Sequence, residues 1–124
     1  MPLTYVIDRV QQRMITHADG LITFDDISRH LDAEERDRGL DLPELFDATS
    51  ATTDLTSDQV RRLVRRAADT TRRIPLGPTA IVAKQDVVYG MARMYSILME
   101  GIGSPVEVFR DVEAALKWLR EIHQ

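Results

Sequence analysis

The chain has 124 residues, a net charge of -4, and a composition that is 44% hydrophobic and 29% charged. That is one domain, residues 1–124, long enough to bury its own core, which excludes a disordered chain. No apolar run approaches the roughly 20 residues a membrane span needs. There is no cysteine, which excludes disulfides, thiolate nucleophiles and thiolate metal sites. No basic-then-apolar leader opens the sequence, so a cytoplasmic setting is expected.

Residues 4–8 and 13–18 read as two short strands joined by a polar turn, an antiparallel hairpin that Asp19-Gly20 closes. A helix starts at Phe24, with Thr23 as N-cap and Asp26 three residues on as its capping-box partner. Phe24, Ile27 and Leu31 make its apolar stripe, and His30 sits beside that stripe. Pro43 opens a strand over 44–48, and 49–54 read as a hydroxyl-rich loop. Residues 57–73 give the clearest helix, with Val60, Leu63, Val64, Ala67 and Ala68 on one face and Thr56 or Ser57 as cap. Pro75, Gly77 and Pro78 stop it. Residues 79–83 read as a central strand covered on both faces. A helix over 86–101, a strand over 106–109 and a final helix capped by Asp111 complete the order ββαβαβαβα. Strand–helix alternation of this kind builds parallel strands with right-handed crossovers. The expected fold is therefore α/β, a mixed, mostly parallel five-stranded sheet flanked by four helices.

That order, with LFDAT at 45–49, TAIVA at 79–83, YGMARMY at 89–95 and VEVFRDVEAALKWL at 106–119, resembles the small bacterial STAS-like, SpoIIAA-like proteins. Their fold is similar to the CRAL-TRIO lipid-binding domain. The resemblance implies a non-enzymatic module that binds a partner protein or a small ligand. It also implies a phosphorylatable hydroxyl at the start of the helix after the third strand, where Thr56 and Ser57 stand here. The glycine of the usual motif is missing, and an ordinary N-cap explains both residues equally well.

Charge is unevenly spread. Residues 61–73 hold six arginines against Asp69 alone, while the rest of the chain is strongly acidic. No aromatic residue is interleaved with them, so nucleic acid is a disfavoured partner and a solvated helix face accounts for the run. The helix over 86–101 is apolar around more of its circumference than a sheet-covering helix needs. Met91, Met94, Tyr95 and Leu98 are the candidate surface for a second copy, a partner or an apolar ligand, with burial in the core as the plain alternative. Gly90 in mid-helix suggests close packing there. Thr49, Ser50, Lys84 and Asp86 follow strand ends, the edge where open α/β sheets take ligands, and are a candidate anion site. His17, His30 and His123 show no metal-ligand spacing with one another or with a useful carboxylate pair. No nucleophile or acid–base set is visible, so neither metal, cofactor nor enzymatic activity is expected. The leading expectation is an interaction module, a homodimer through the helix at 86–101. The competing one is a carrier of an apolar or lipid-like molecule.

Overall fold

The computed structural model describes residues 2–122. Their order is β1 (Leu3–Asp8), β2 (Arg13–Ile22), α1 (Phe24–Arg36), β3 (Glu44–Thr53), α2 (Ser57–Thr70), β4 (Thr79–Ala83), α3 (Asp86–Met99), β5 (Val106–Phe109) and α4 (Val112–Ile122). The five strands form one sheet in the order β1-β2-β3-β4-β5. β1 is antiparallel to β2, and every later pair is parallel. Because the parallel strands advance one place at a time in one direction, right-handed crossovers put α1, α2 and α3 on the same face. Among the described residues, α4 is the one helix on the other face.

Strand alternation divides the core accordingly. Leu45, Ala80 and Val82 point to α4, where they meet Ala115, Leu119 and half-buried Trp118. Ala18, Ile22, Ala48, Ala51 and Ala83 point to the three-helix side and pack with Val88, Ile27 and Phe46. β4 is covered on both faces, as its unbroken apolar run predicts. The capping box at Thr23 and Asp26 is formed, with Asp26 N–H donating to Thr23 Oγ1 at 3.1 Å and Thr23 N–H to Asp26 Oδ2 at 2.9 Å. Asp111 caps the final helix through Ala114 N–H at 2.8 Å.

Two strands outrun their expected ends. Asp19-Gly20 does not close β2. Gly20 takes a left-handed φ of 77°, the ladder slips one place between His17 and Asp19, and pairing then resumes from Asp19↔Ser50 to Ile22↔Thr53. Residues 49–53 are accordingly strand, not loop. Threonine suits a pleated ladder, so hydroxyl content alone misleads there. α2 ends at Thr70, and the next residues leave it as a turn. No helix among the described residues is long and apolar enough to cross a membrane.

Candidate functional site

Between the three-helix layer and the sheet lies a cavity of about 170 Å³. The chain builds it by spending small residues on the sheet floor, with Ala48 and Ala51 on β3 where larger side chains would fill the space. Ile27 and Leu31 of α1, Val60 and Leu63 of α2, and Met91 and Tyr95 of α3 line it from above, and Phe46 and Ile81 from the sheet. Leu40, Leu42 and Leu76, from the segments preceding β3 and β4, also line it.

One part of this apolar wall is polar. His30 and Glu34 stand four residues apart on α1 and so share a face. Glu44, the first residue of β3, points to the same side as Phe46 and Ala48. His30 Nε2 lies 2.5 Å from Glu34 Oε1 and 3.3 Å from Glu44 Oε2. Thr16 on β2 donates its hydroxyl to Glu44 Oε2 at 2.6 Å, and its oxygen is 3.4 Å from His30 Nε2. The side chains of His30 and Glu34 are each 3% exposed and that of Glu44 is 11% exposed. Edge contacts with Tyr5 and Phe46, at 5.4 and 5.9 Å between ring centres, fix the imidazole plane. Glu34 Oε1 meets the ring nitrogen as an ion-pair contact, and among the described residues it receives no well-formed hydrogen bond. Among the described residues, no arginine or lysine pairs with either carboxylate.

The electrostatics follow from this enclosure. Burial pulls the imidazole of His30 down, but its close polar contacts with Glu34 and Glu44, and then their charges, outweigh it and push the group up to about 9. Burial, reinforced by the charge of Glu44, pushes Glu34 up to about 7 against the opposing pull of His30. Burial also raises the Tyr95 phenol, helped by the charges of Glu44 and Glu34, so it stays protonated. The cluster therefore holds protons that exposed groups would release.

The expectation that no histidine meets a useful carboxylate pair is overturned at His30. The missed signal is the i, i+4 pair of His30 and Glu34 beside an apolar stripe. The second carboxylate, Glu44, is invisible to local spacing because β3 reaches α1 only through the fold. His17 also meets a carboxylate, Asp47 at 3.5 Å, but at an exposed position. His123 lies outside the described residues.

The other sequence candidates are scattered. Met91 and Tyr95 line the cavity, Met94 is half-buried, and Leu98 is exposed beside Ile97. Gly90 packs against nothing, since a Cβ there would have no neighbour within 4 Å, which corrects the expected close approach. Lys84 and Asp86 are bridged by Arg110, which donates to Lys84 O at 2.7 Å and Asp86 Oδ1 at 3.0 Å. Thr49 and Ser50 lie on β3, and among the described residues no hydrogen bond joins them to that bridge. Thr56 is the N-cap of α2 and accepts from Gln59 N–H at 3.2 Å, with exposed Ser57 next to it. Among the arginines of 61–73, Arg66 ties α2 to α1 through Asp32 at 2.7 Å, and Arg73, in the turn after α2, reaches Glu35 of α1 at 3.3 Å.

No family model matches this chain, and no curated protein matches it. Among solved structures it is similar to an uncharacterized protein of the DUF3478 family with a SpoIIAA-like fold, from Shewanella loihica PV-4. The two are 19% identical, with a TM-score of 0.60 over 94% of this chain and 93% of that one. The likeness is one of fold, and it bears out the SpoIIAA-like α/β architecture expected from the order of elements.

Proposed function

We propose that this chain is a non-catalytic binding module that holds a small, largely apolar molecule in the cavity between its three-helix layer and its sheet. The observation that carries this reading is the cavity itself, about 170 Å³ with mostly aliphatic and aromatic walls. An apolar cavity of about 150 Å³ is enough to take a benzene ring. The guest is therefore a single ring or a short branched chain, far smaller than a whole lipid. His30, Glu34, Glu44 and the Tyr95 hydroxyl supply the few polar groups that orient a ligand in such a pocket. A cytoplasmic setting belongs to the same proposal, supported by the cysteine-free composition.

A titration of the labelled protein with phenol, indole and benzylamine, followed by NMR, tests it. The expected result is saturable shifts concentrated at Phe46, Leu63, Met91 and Tyr95. Shifts spread over the surface, or none at millimolar probe, would overturn the proposal.

A second reading, association of two copies through α3, is favoured by the exposure of Val87, Ile97 and Leu98, at 44, 52 and 38%. Leu98→Glu separates the two readings. A dimer becomes a monomer in solution, whereas a monomeric carrier keeps both its mass and its guest.

A further inference from the structure

We propose that His30, Glu34 and Glu44 form a binding site for one divalent transition-metal ion, with its remaining coordination positions open to the apolar cavity. Each of the three offers one donor atom, and these atoms lie within 4.8 Å of one another. Two come from one turn of α1 and the third from the first residue of β3, so two different elements fix the set. The inference concerns the polar wall alone and does not depend on any apolar guest.

Enclosure makes this more than an acidic cluster. His30 and Glu34 are buried, the ring nitrogen Nε2 is aimed between two carboxylates, and Glu34 Oε1 has no hydrogen-bond donor. A buried carboxylate oxygen is costly unless something positive meets it, and here that is either the protonated ring of His30 or a cation in its place. Metal–ligand bonds of about 2.0–2.2 Å place neighbouring donor atoms roughly 3.0–3.4 Å apart at tetrahedral or octahedral angles. The 3.3 Å between His30 Nε2 and Glu44 Oε2 already fits, and the 2.5 Å to Glu34 Oε1 needs that carboxylate to draw back by about half an ångström. Around the donors, Thr16 holds Glu44 through its hydroxyl, and Tyr5 and Phe46 hold the imidazole. Supports of this kind orient ligands in metal sites.

The donor set also selects the ion. One imidazole and two carboxylates, without sulfur, suit Zn²⁺, Co²⁺, Mn²⁺ or Fe²⁺ and not Cu(I). Ca²⁺ wants six to eight oxygens, and Mg²⁺ keeps several waters, which the aliphatic walls do not offer.

The test uses the full chain, stripped with chelator and dialysed, and Zn²⁺ and Co²⁺ as the probes. Calorimetry should give one equivalent of Zn²⁺, and Co²⁺ should produce a visible d–d absorption. H30Q and E34Q should each weaken binding at least about 100-fold, and Thr16→Val about 10-fold through loss of its support to Glu44. Should the variants fail to fold, the wild-type imidazole resonances decide the matter. Zn²⁺ should move the His30 Nε2 signal and leave that of His17 in place. Absence of saturable one-equivalent binding, H30Q binding as tightly as the parent, or a shift confined to another histidine would overturn the proposal. None of these results bears on whether the cavity takes an apolar probe, so the two proposals fail separately.

Discussion

The buried cluster makes the stability of the metal-free protein fall as pH rises through neutrality. Two groups act in the same direction. His30 has its folded value raised from 6.5 to about 9, so its stabilising contribution is complete below 6.5 and is lost as pH climbs through 9. Glu34 is raised from 4.5 to about 7, so the folded state keeps a proton that the unfolded chain releases above 4.5, and stability falls as pH passes through 7. Both side chains are 3% exposed, and solvent screening discounts neither effect strongly. At 1.36 kcal/mol per unit, a shift of this size is worth on the order of 3 kcal/mol. His30 and Glu34 stabilise each other's charged forms, so that figure serves for the whole fall between pH 5 and 9. With a urea slope of about 1.5–3 kcal/mol/M, the unfolding midpoint drops by roughly 1–2 M. Urea titrations of chelator-treated protein at pH 5, 7 and 9, followed by Trp118 fluorescence, read this directly. H30Q should flatten the upper half of the slope and E34Q the lower half. A wild-type midpoint that stays constant or rises from pH 5 to 9 would refute the account of the cluster.

Other predictions rest on packing. A Cβ at Gly77 would stand 2.3 Å from Leu42 O and 2.8 Å from Asp41 O, both backbone atoms that cannot swing away. Gly77→Ala should therefore cost at least about 2–3 kcal/mol in chemical denaturation, since it also strains the 2.9 Å bond from Gly77 N–H to Leu40 O. A cost below about 0.5 kcal/mol would mean the 40–42 segment is not held there. Gly90→Ala should stabilise by about 1 kcal/mol, because the position is exposed, helical and unobstructed. A loss of stability would reveal a partner packed on that face. Ala92→Leu fills part of the cavity from α3, and it should keep or raise the thermal midpoint while abolishing the NMR response to phenol and indole. An unchanged response would place the probe elsewhere.

The fold was largely legible because its signals are local. The 3.6-residue stripe of α2, the capping box at Thr23 and the apolar run of β4 each declare themselves within a few residues. The errors arose where tertiary pairing overrides local chemistry. Asp19-Gly20 reads as a turn, yet the parallel ladder with β3 carries the strand through it. The threonines at 52 and 53 read as a loop, yet β2 gives them partners in Leu21 and Ile22. The candidate site was half legible. Tyr95 and Met91 stood out because α3 is too apolar for a sheet-covering helix, and both do line the cavity. His30 and Glu34 sit at helical spacing and could have been paired. Glu44 could not, because only the register of β3 beneath α1 brings its carboxylate to the imidazole. Nor could the cavity be read, since empty space arises from what Ala48 and Ala51 do not fill.

The measurement that tests the central claim most directly is native mass spectrometry of protein purified from its own cells, followed by denaturing extraction of the same sample. A carrier with this cavity should show excess mass from a molecule of about ring size, lost on denaturation, recovered in the extract and absent from the Ala92→Leu variant. A bare chain mass with an empty extract, together with no response to any single-ring probe, would contradict the account.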